Sequence, residues 1–160
     1  DHTIAEVLQM CANAACCVLM QDRDGQYKIT QLSYVLSDYV VNRFNSWQEA
    51  EIELSKELKS VNVNNNLGTS QNSLTGEIQT VENPLIQNAT VANNVASWVK
   101  DILKNRKTVT GEYRSDPRLD ALDYISLSNK YTSNSTVLIT SIKYTYNGAF
   151  RGRYEGRIIS

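Results

Sequence analysis

A chain of 160 residues, 41% hydrophobic and 21% charged, can bury a core without metal or disulfide staples, and its composition is that of an ordinary globular protein. No apolar run approaches the roughly 20 residues that span a bilayer, and no signal-peptide pattern is present, so no membrane anchor is expected. The net charge of −1 conceals a gradient: residues 1–99 hold 5 Lys/Arg against 11 Asp/Glu, and residues 100–160 hold 11 against 6.

Acidic and basic halves of this kind can face each other within one fold, or across neighbouring copies in a head-to-tail ring. A charge of +5 spread over a whole sheet is no patch, so specific nucleic-acid binding is not expected. The chain starts with Asp rather than Met, which suggests a piece of something larger.

Thr3-Ile4-Ala5-Glu6 carries a capping-box signature, and Ile4, Val7, Leu8, Cys11, Ala12 and Ala15 follow the rhythm of one buried helical stripe. Cys16–Gln21 and Gln26–Thr30 flank Asp22-Arg23-Asp24-Gly25, a hairpin with Gly at the positive-φ position. Asp22-x-Asp24 lacks the remaining ligands of a calcium loop. Residues 1–33 thus read as a helix-plus-hairpin lobe, part of a larger domain.

Tyr34-Val35-Leu36 and Tyr39-Val40-Val41 fit short strands or part of a helix. Glu51–Leu54 and Leu58–Asn64 read as strands. Asn64–Ser73 has loop composition throughout, and it is expected to join antiparallel strands, the second being Leu74–Val81. Pro84 ends that strand. Asn88 is the N-cap of a second helix, about residues 90–105, with Val91, Val95, Trp98, Val99, Ile102 and Leu103 on its apolar face.

The last third is the clearest. Leu119–Leu127 is a strand candidate after the Asp116-Pro117 break. Leu138, Thr140, Ile142, Tyr144 and Tyr146 alternate with Val137, Ile139, Ser141, Lys143 and Thr145. Asn147-Gly148 calls for a tight type I′ turn. The return strand places Phe150, Gly152, Tyr154, Gly156 and Ile158 at period two, its glycines pointing to curvature or close backbone approach. Residues 34–160 read as a β-barrel-like domain. The fold class expected is α+β: mainly an antiparallel β-barrel with one packed helix, plus the small helix–hairpin lobe.

Catalytic chemistry has little to work with. His2 is the single imidazole, and Cys11, Cys16 and Cys17 show neither a zinc spacing nor a disulfide framework. They are expected to be small buried side chains. Asp116, Asp120 and Asp123 stand where turns and strand starts favour short polar groups. No Walker loop or dinucleotide fingerprint exists. No cofactor, metal or enzyme activity is expected, the rival reading being an enzyme that uses Cys16, Cys17 or His2. Asn88-Ala89-Thr90 and Asn134-Ser135-Thr136 fit the glycosylation sequon, without a secretory signal to give it use.

Three segments resemble the tail hub proteins of bacteriophages and prophages, a family that includes the hub of contractile tails and the N-terminal region of tail-associated lysins. The first runs from Thr3-Ile4-Ala5-Glu6-Val7-Leu8-Gln9 through Asp22-Arg23-Asp24-Gly25. The second is Glu53–Val63. The third, and most specific, joins Asn83-Pro84-Leu85-Ile86, the Trp98 helix, Arg114-Ser115-Asp116-Pro117-Arg118-Leu119 and Tyr146-Asn147-Gly148-Ala149-Phe150-Arg151-Gly152. Where such proteins often carry an acidic residue and a glycine before the next Asp, this chain has Asp120-Ala121-Leu122.

The resemblance implies a non-enzymatic virion structural protein, made in the bacterial cytoplasm and placed in the phage tail tip or baseplate. It implies a homotrimer in the full-length protein, a ring that caps the tail tube. Its partners would be tail-tube or distal tail proteins, and DNA would pass without specific binding. A cell-wall hydrolase module elsewhere in the full chain is compatible with it. Arg151, Arg153 and Arg157 share one strand face and are the candidate interface or lumen residues. The alternative is a carbohydrate-binding β-domain at the tail tip that recognises the host cell surface.

Overall fold

The computed structural model describes residues 2–21, 24–32, 39–114, 116–130 and 134–159. In chain order the first elements are α1 (Ile4–Ala14), β1 (Val18–Gln21), β2 (Tyr27–Thr30), β3 (Val40–Val41), β4 (Glu51–Leu54), β5 (Leu58–Val63), β6 (Gly68–Gln71) and β7 (Glu77–Val81). They continue with α2 (Ala89–Leu103), β8 (Lys107–Arg114), β9 (Tyr124–Leu127), β10 (Ser135–Tyr146) and β11 (Phe150–Ile158). The class is α+β, with a six-stranded sheet curled as a partial barrel. Two compact units divide the chain: Asp1–Ser33 with Lys56–Lys104, and Tyr34–Ser55 with Asn105–Ser160. Residues 33–38, with the Tyr34-Val35-Leu36 ambiguity, lie outside the described residues.

In the first unit the capping box of α1 is complete: Thr3 Oγ1 accepts from the Glu6 N–H at 3.3 Å, and Glu6 Oε2 accepts from the Thr3 N–H at 2.8 Å. The expected buried stripe does not run the length of the helix. Ile4 and Val7 are exposed, Cys11 is exposed too, and only Ala12 is fully buried. The helix docks through its C-terminal half, where Ala12 and Ala14 are small enough to let it lie close and the Met10 carbonyl is tied to Asn83. Cys16 and Cys17 are half-buried, and Cys16 packs against the core of this unit. β1 and β2 pair antiparallel, with Gly25 at φ +77° in the turn; Asp22 and Arg23 lie outside the described residues.

The central strand of this unit is β5. Its neighbour β6 runs antiparallel to it and β7 runs parallel, which corrects two expectations. Gly68–Gln71 is a strand rather than loop, and β5 and β7 are not an antiparallel pair. The inserted β6 reverses the chain once, and the return through residues 72–76 reverses it again, so β7 must run with β5. Asn64, Asn65 and Asn66 all take positive φ, from 46° to 71°, a conformation whose steric cost Asn bears better than other residues with a Cβ.

Helix α2 begins as read, with Asn88 Oδ1 accepting from the Thr90 N–H at 2.7 Å. It covers β5 and β6, and Leu58, Val61, Val63, Ile86, Ala92, Val95 and Ala96 form the core. A Cβ on Gly68 would stand 2.3 Å from the Ala92 backbone carbon, so glycine sets how closely the helix approaches the sheet.

The second unit is a six-stranded sheet in the order β3-β9-β10-β11-β8-β4. All pairs are antiparallel except β3 with β9. Val41, Val109, Tyr113, Leu119, Ile125, Leu127, Val137, Ile139, Tyr154 and Ile158 fill its interior. Tyr39, Tyr113 and Tyr154 meet edge to face, each neighbouring pair of rings 5.8 Å apart. The Tyr154 phenol sits where a side chain on Gly111 would otherwise stand. The strand expected over Leu119–Leu127 is only Tyr124–Leu127, because Leu119–Asp123 turns and docks on β10 through Leu122 N–H to Ile139 O at 2.8 Å.

Strict alternation along β10 fails at one point. The register with β11 shifts between Ile139 and Ser141, leaving Thr140 as the extra residue. Val137 and Ile139 face the core before the bulge, and Ile142 packs against the same core after it. One inserted residue swaps the faces, as a period of two requires. The hairpin to β11 is also looser than a type I′ turn. Tyr146 pairs with Phe150, so three residues form the loop, and Gly148 takes φ +70° while Asn147 does not enter that region.

Candidate interaction surface

The outer face of the curled sheet is where the arginines gather. Along β11, Arg151, Arg153, Glu155 and Arg157 alternate with the inward residues Gly152, Tyr154, Gly156 and Ile158. The three arginines picked from the sequence therefore share a face. They are not equivalent on it. Arg157 is half-buried and its Nη1 donates to the Asn105 carbonyl at 2.9 Å, whereas Arg151 and Arg153 are exposed.

The register of β11 on β8 places Arg151 directly opposite Arg114, and Arg153 opposite Glu112. Like charges facing each other across a strand pair are destabilising. An aromatic ring relieves part of that cost here. Trp47 is held by its own N–H to the Glu112 carbonyl at 3.0 Å. Its ring lies 4.2 Å from the Arg151 guanidinium carbon and 5.7 Å from that of Arg114, within the range of cation–π attraction.

Residues 42–47 are pinned by asparagines. Asn45 Oδ1 accepts from the Asn42 N–H at 2.7 Å, Asn42 Oδ1 accepts from the Phe44 N–H at 2.9 Å, and Asn45 Nδ2 donates to the Val40 carbonyl at 2.8 Å. These short amide side chains replace the backbone partners that a tight loop cannot find. Phe44 is left 73% exposed, with the Arg43 guanidinium 4.8 Å from its ring. Open grooves beside this loop are lined by Arg43, Trp47, Glu49, Ser128 and Asn129.

Two of the carboxylates weighed for catalysis, Asp116 and Asp123, accept from nearby backbone N–H groups. Asp116 pairs with Arg118 at 2.6 Å and accepts its N–H at 2.9 Å; Asp123 accepts from the Asp120 N–H at 2.8 Å. The Asp116 carboxylate holds the Arg118 guanidinium above its ordinary pKa. His2 is exposed beside Glu6. No trio of metal-ligating side chains gathers among the described residues. Nor does any helix among them have the length and apolarity to cross a membrane.

Trp47 and Arg114 were missed from the sequence. Trp47 stands in the polar run Asn45-Ser46-Trp47-Gln48-Glu49, where an exposed aromatic could have been flagged. Arg114 had no such signal, since only the strand register brings it to Arg151.

No protein-family model matches the chain, and no curated protein matches it in sequence. Solved structures do. The 43 kDa tail protein of prophage MuSo2 from Shewanella oneidensis superposes with TM-score 0.69 at 14% identity, over 97% of this chain and 51% of that one. A tail protein from Neisseria meningitidis MC58 gives 0.70 at 11% identity, over 98% and 54%. A chain in the virion of a native gene transfer agent particle gives 0.65 at 11% identity, over 96% and 38%. The fold is thus shared with these proteins, and the chain spans about half the length, or less, of each.

Proposed function

We propose that this chain is a structural part of a phage or prophage tail, located in the virion, and that it belongs to the hub ring that caps the tail tube. The observation that carries the reading is fold likeness over nearly the whole chain to proteins described as tail proteins, and to a component of a virion particle. The rigid curled sheet and the turn-bound Asp116, Asp120 and Asp123 suit a scaffold better than a site of turnover. In this reading the full-length protein forms a homotrimer and contacts tail-tube or distal tail proteins. Its outer arginines, Arg151 and Arg153 foremost, are available for contacts within the ring or at its lumen. DNA passes without being bound.

The test is to delete the gene from its source element and image the particles. Tails that fail to assemble, or that lack the tip, are expected. Intact, infective or transfer-competent particles would remove the proposal. Sedimentation of the full-length protein checks the threefold state separately.

A second reading draws on the exposed Phe44 and Trp47 beside one groove system, an arrangement that suits sugar stacking. It predicts that host surface glycans bind and that Trp47→Ala abolishes binding. Absence of binding to any host polysaccharide would discard it.

A further inference from the structure

The outer face of the second unit carries two opposite patches on one stretch of sheet. At one end stand Arg114 and Arg151 around Trp47, with Arg153 and Lys143, direct cross-strand partners, beside them and Glu112 opposite Arg153, so cations outnumber the carboxylate there. At the other end β4 presents Glu51 and Glu53 opposite Thr110 and Thr108 of β8. Arg114 and Thr110 are four residues apart on one strand, so about 13 Å separates the patches along it. None of these arginines or glutamates takes part in an ion pair among the described residues. β4 is moreover an edge strand, exposed at Glu51, Glu53 and Leu54, with no further strand paired to it among the described residues.

Arg114 and Arg151, face to face, carry a repulsion that the Trp47 ring relieves only in part and that an anionic partner would relieve further. A four-residue edge strand with two carboxylates on it is guarded against indiscriminate strand pairing, and a partner that docks there must meet those charges with cations. The basic and acidic patches are complementary in charge, and they cannot meet within one chain because both lie on the same outward face. We infer that the Trp47–Arg114–Arg151 patch of one copy receives the Glu51–Leu54 edge of a second copy. The contact is heterologous: each copy offers one patch forward and the other backward, and such contacts close into rings when the rotation allows. Trp47, flanked by guanidiniums, is the aromatic anchor expected at the centre of such an interface. This deepens the ring proposed above and rests on it.

The experiment uses the full-length protein and reads its assembly by sedimentation, with circular dichroism melts as the control for folding. Arg114→Glu with Arg151→Glu, and separately Glu51→Lys with Glu53→Lys, should each weaken self-association by at least about tenfold while the melt is unchanged. All four substitutions in one chain should restore the ring, since the charges are then exchanged rather than lost. Raising the salt concentration should weaken the wild-type ring. If the wild-type ring forms and neither double variant disturbs it, this inference falls and the ring reading stands. If both double variants dissociate the ring but the fourfold variant does not recover it, the pairing of these two patches is wrong. If the wild type forms no ring, both fall. Should a double variant melt early, Trp47→Ala replaces the arginine pair and Glu51→Gln with Glu53→Gln replaces the glutamate pair, with the same loss of assembly expected.

Discussion

The two units solve the same packing problem with different materials. In the first, a three-stranded sheet and α2 meet through small residues, Gly68 against Ala92 with Val61, Val63 and Val95 around them. Buried amides do the tying. Asn64 Nδ2 donates to the carbonyls of Asn83 and Ile86, both at 2.7 Å, and its Oδ1 accepts from the Asn83 N–H at 2.7 Å. Asn83, 2% exposed, donates to Met10 O at 2.8 Å and accepts from Leu85 N–H at 3.0 Å. The second unit relies on the strand ladder and on tyrosine rings stacked edge to face, and it leaves the Tyr154 hydroxyl buried with no hydrogen-bond partner among the described residues. Where the interior is assembled from short side chains, hydrogen bonds fix the geometry. Where it is assembled from large rings, shape does, and a polar atom is tolerated at a cost.

That contrast can be broken from either side. Gly68→Val should have the largest effect, because backbone lies where its Cβ must go; a loss of at least about 3 kcal/mol in chemical denaturation is expected. Asn83→Ala should come next. It strands the Met10 carbonyl and the Leu85 N–H, and about 2 kcal/mol should be lost. Tyr154→Phe should act in the opposite direction, a gain of about 1 kcal/mol, because it removes a buried hydroxyl that makes no bond.

The same phenol gives a pH signature. Burial raises its pKa above the ordinary value of 10.0. Above pH 10 the unfolded chain releases that proton while the folded chain keeps it, so stability falls as the pH rises. Tyr154→Phe should therefore flatten the alkaline limb of a stability–pH curve, and an unchanged limb would show the phenol to be solvated. The smallest effect belongs to the surface. Lys56 and Glu77 form a salt bridge with both side chains well exposed, 79% and 60%. Glu77→Gln should leave the melting midpoint unmoved, because water and salt screen such pairs.

Much of this was legible in the residues, and the reasons are local. The capping box at Thr3, the Asn88 cap and the apolar face of α2 each depend on side chains within one or two turns of each other. Both hairpins could be placed from their glycines for the same reason. Apart from the Asn147-Gly148 turn, which closes as a three-residue loop, the main differences are non-local. The strand at Gly68–Gln71 has loop composition, and it is held by pairing with β5 and by α2 above it rather than by its own propensity. The buried stripe of α1 has the right period, yet nothing in the period says how much of the helix will be covered.

The candidate surface divides along the same line. That Arg151, Arg153 and Arg157 share a face follows from their spacing alone, since a strand has a side-chain period of two. That Arg151 stands against Arg114 and Trp47, while Arg157 is spent on the Asn105 carbonyl, depends on register and on a loop more than sixty residues away in sequence. One bulge at Thr140 decides which residues of β10 face inward on either side of it. Spacing along a chain is fixed by covalent geometry and can be read directly. Which strands meet, and in what register, is fixed by the burial of many side chains at once, and only the folded chain decides that.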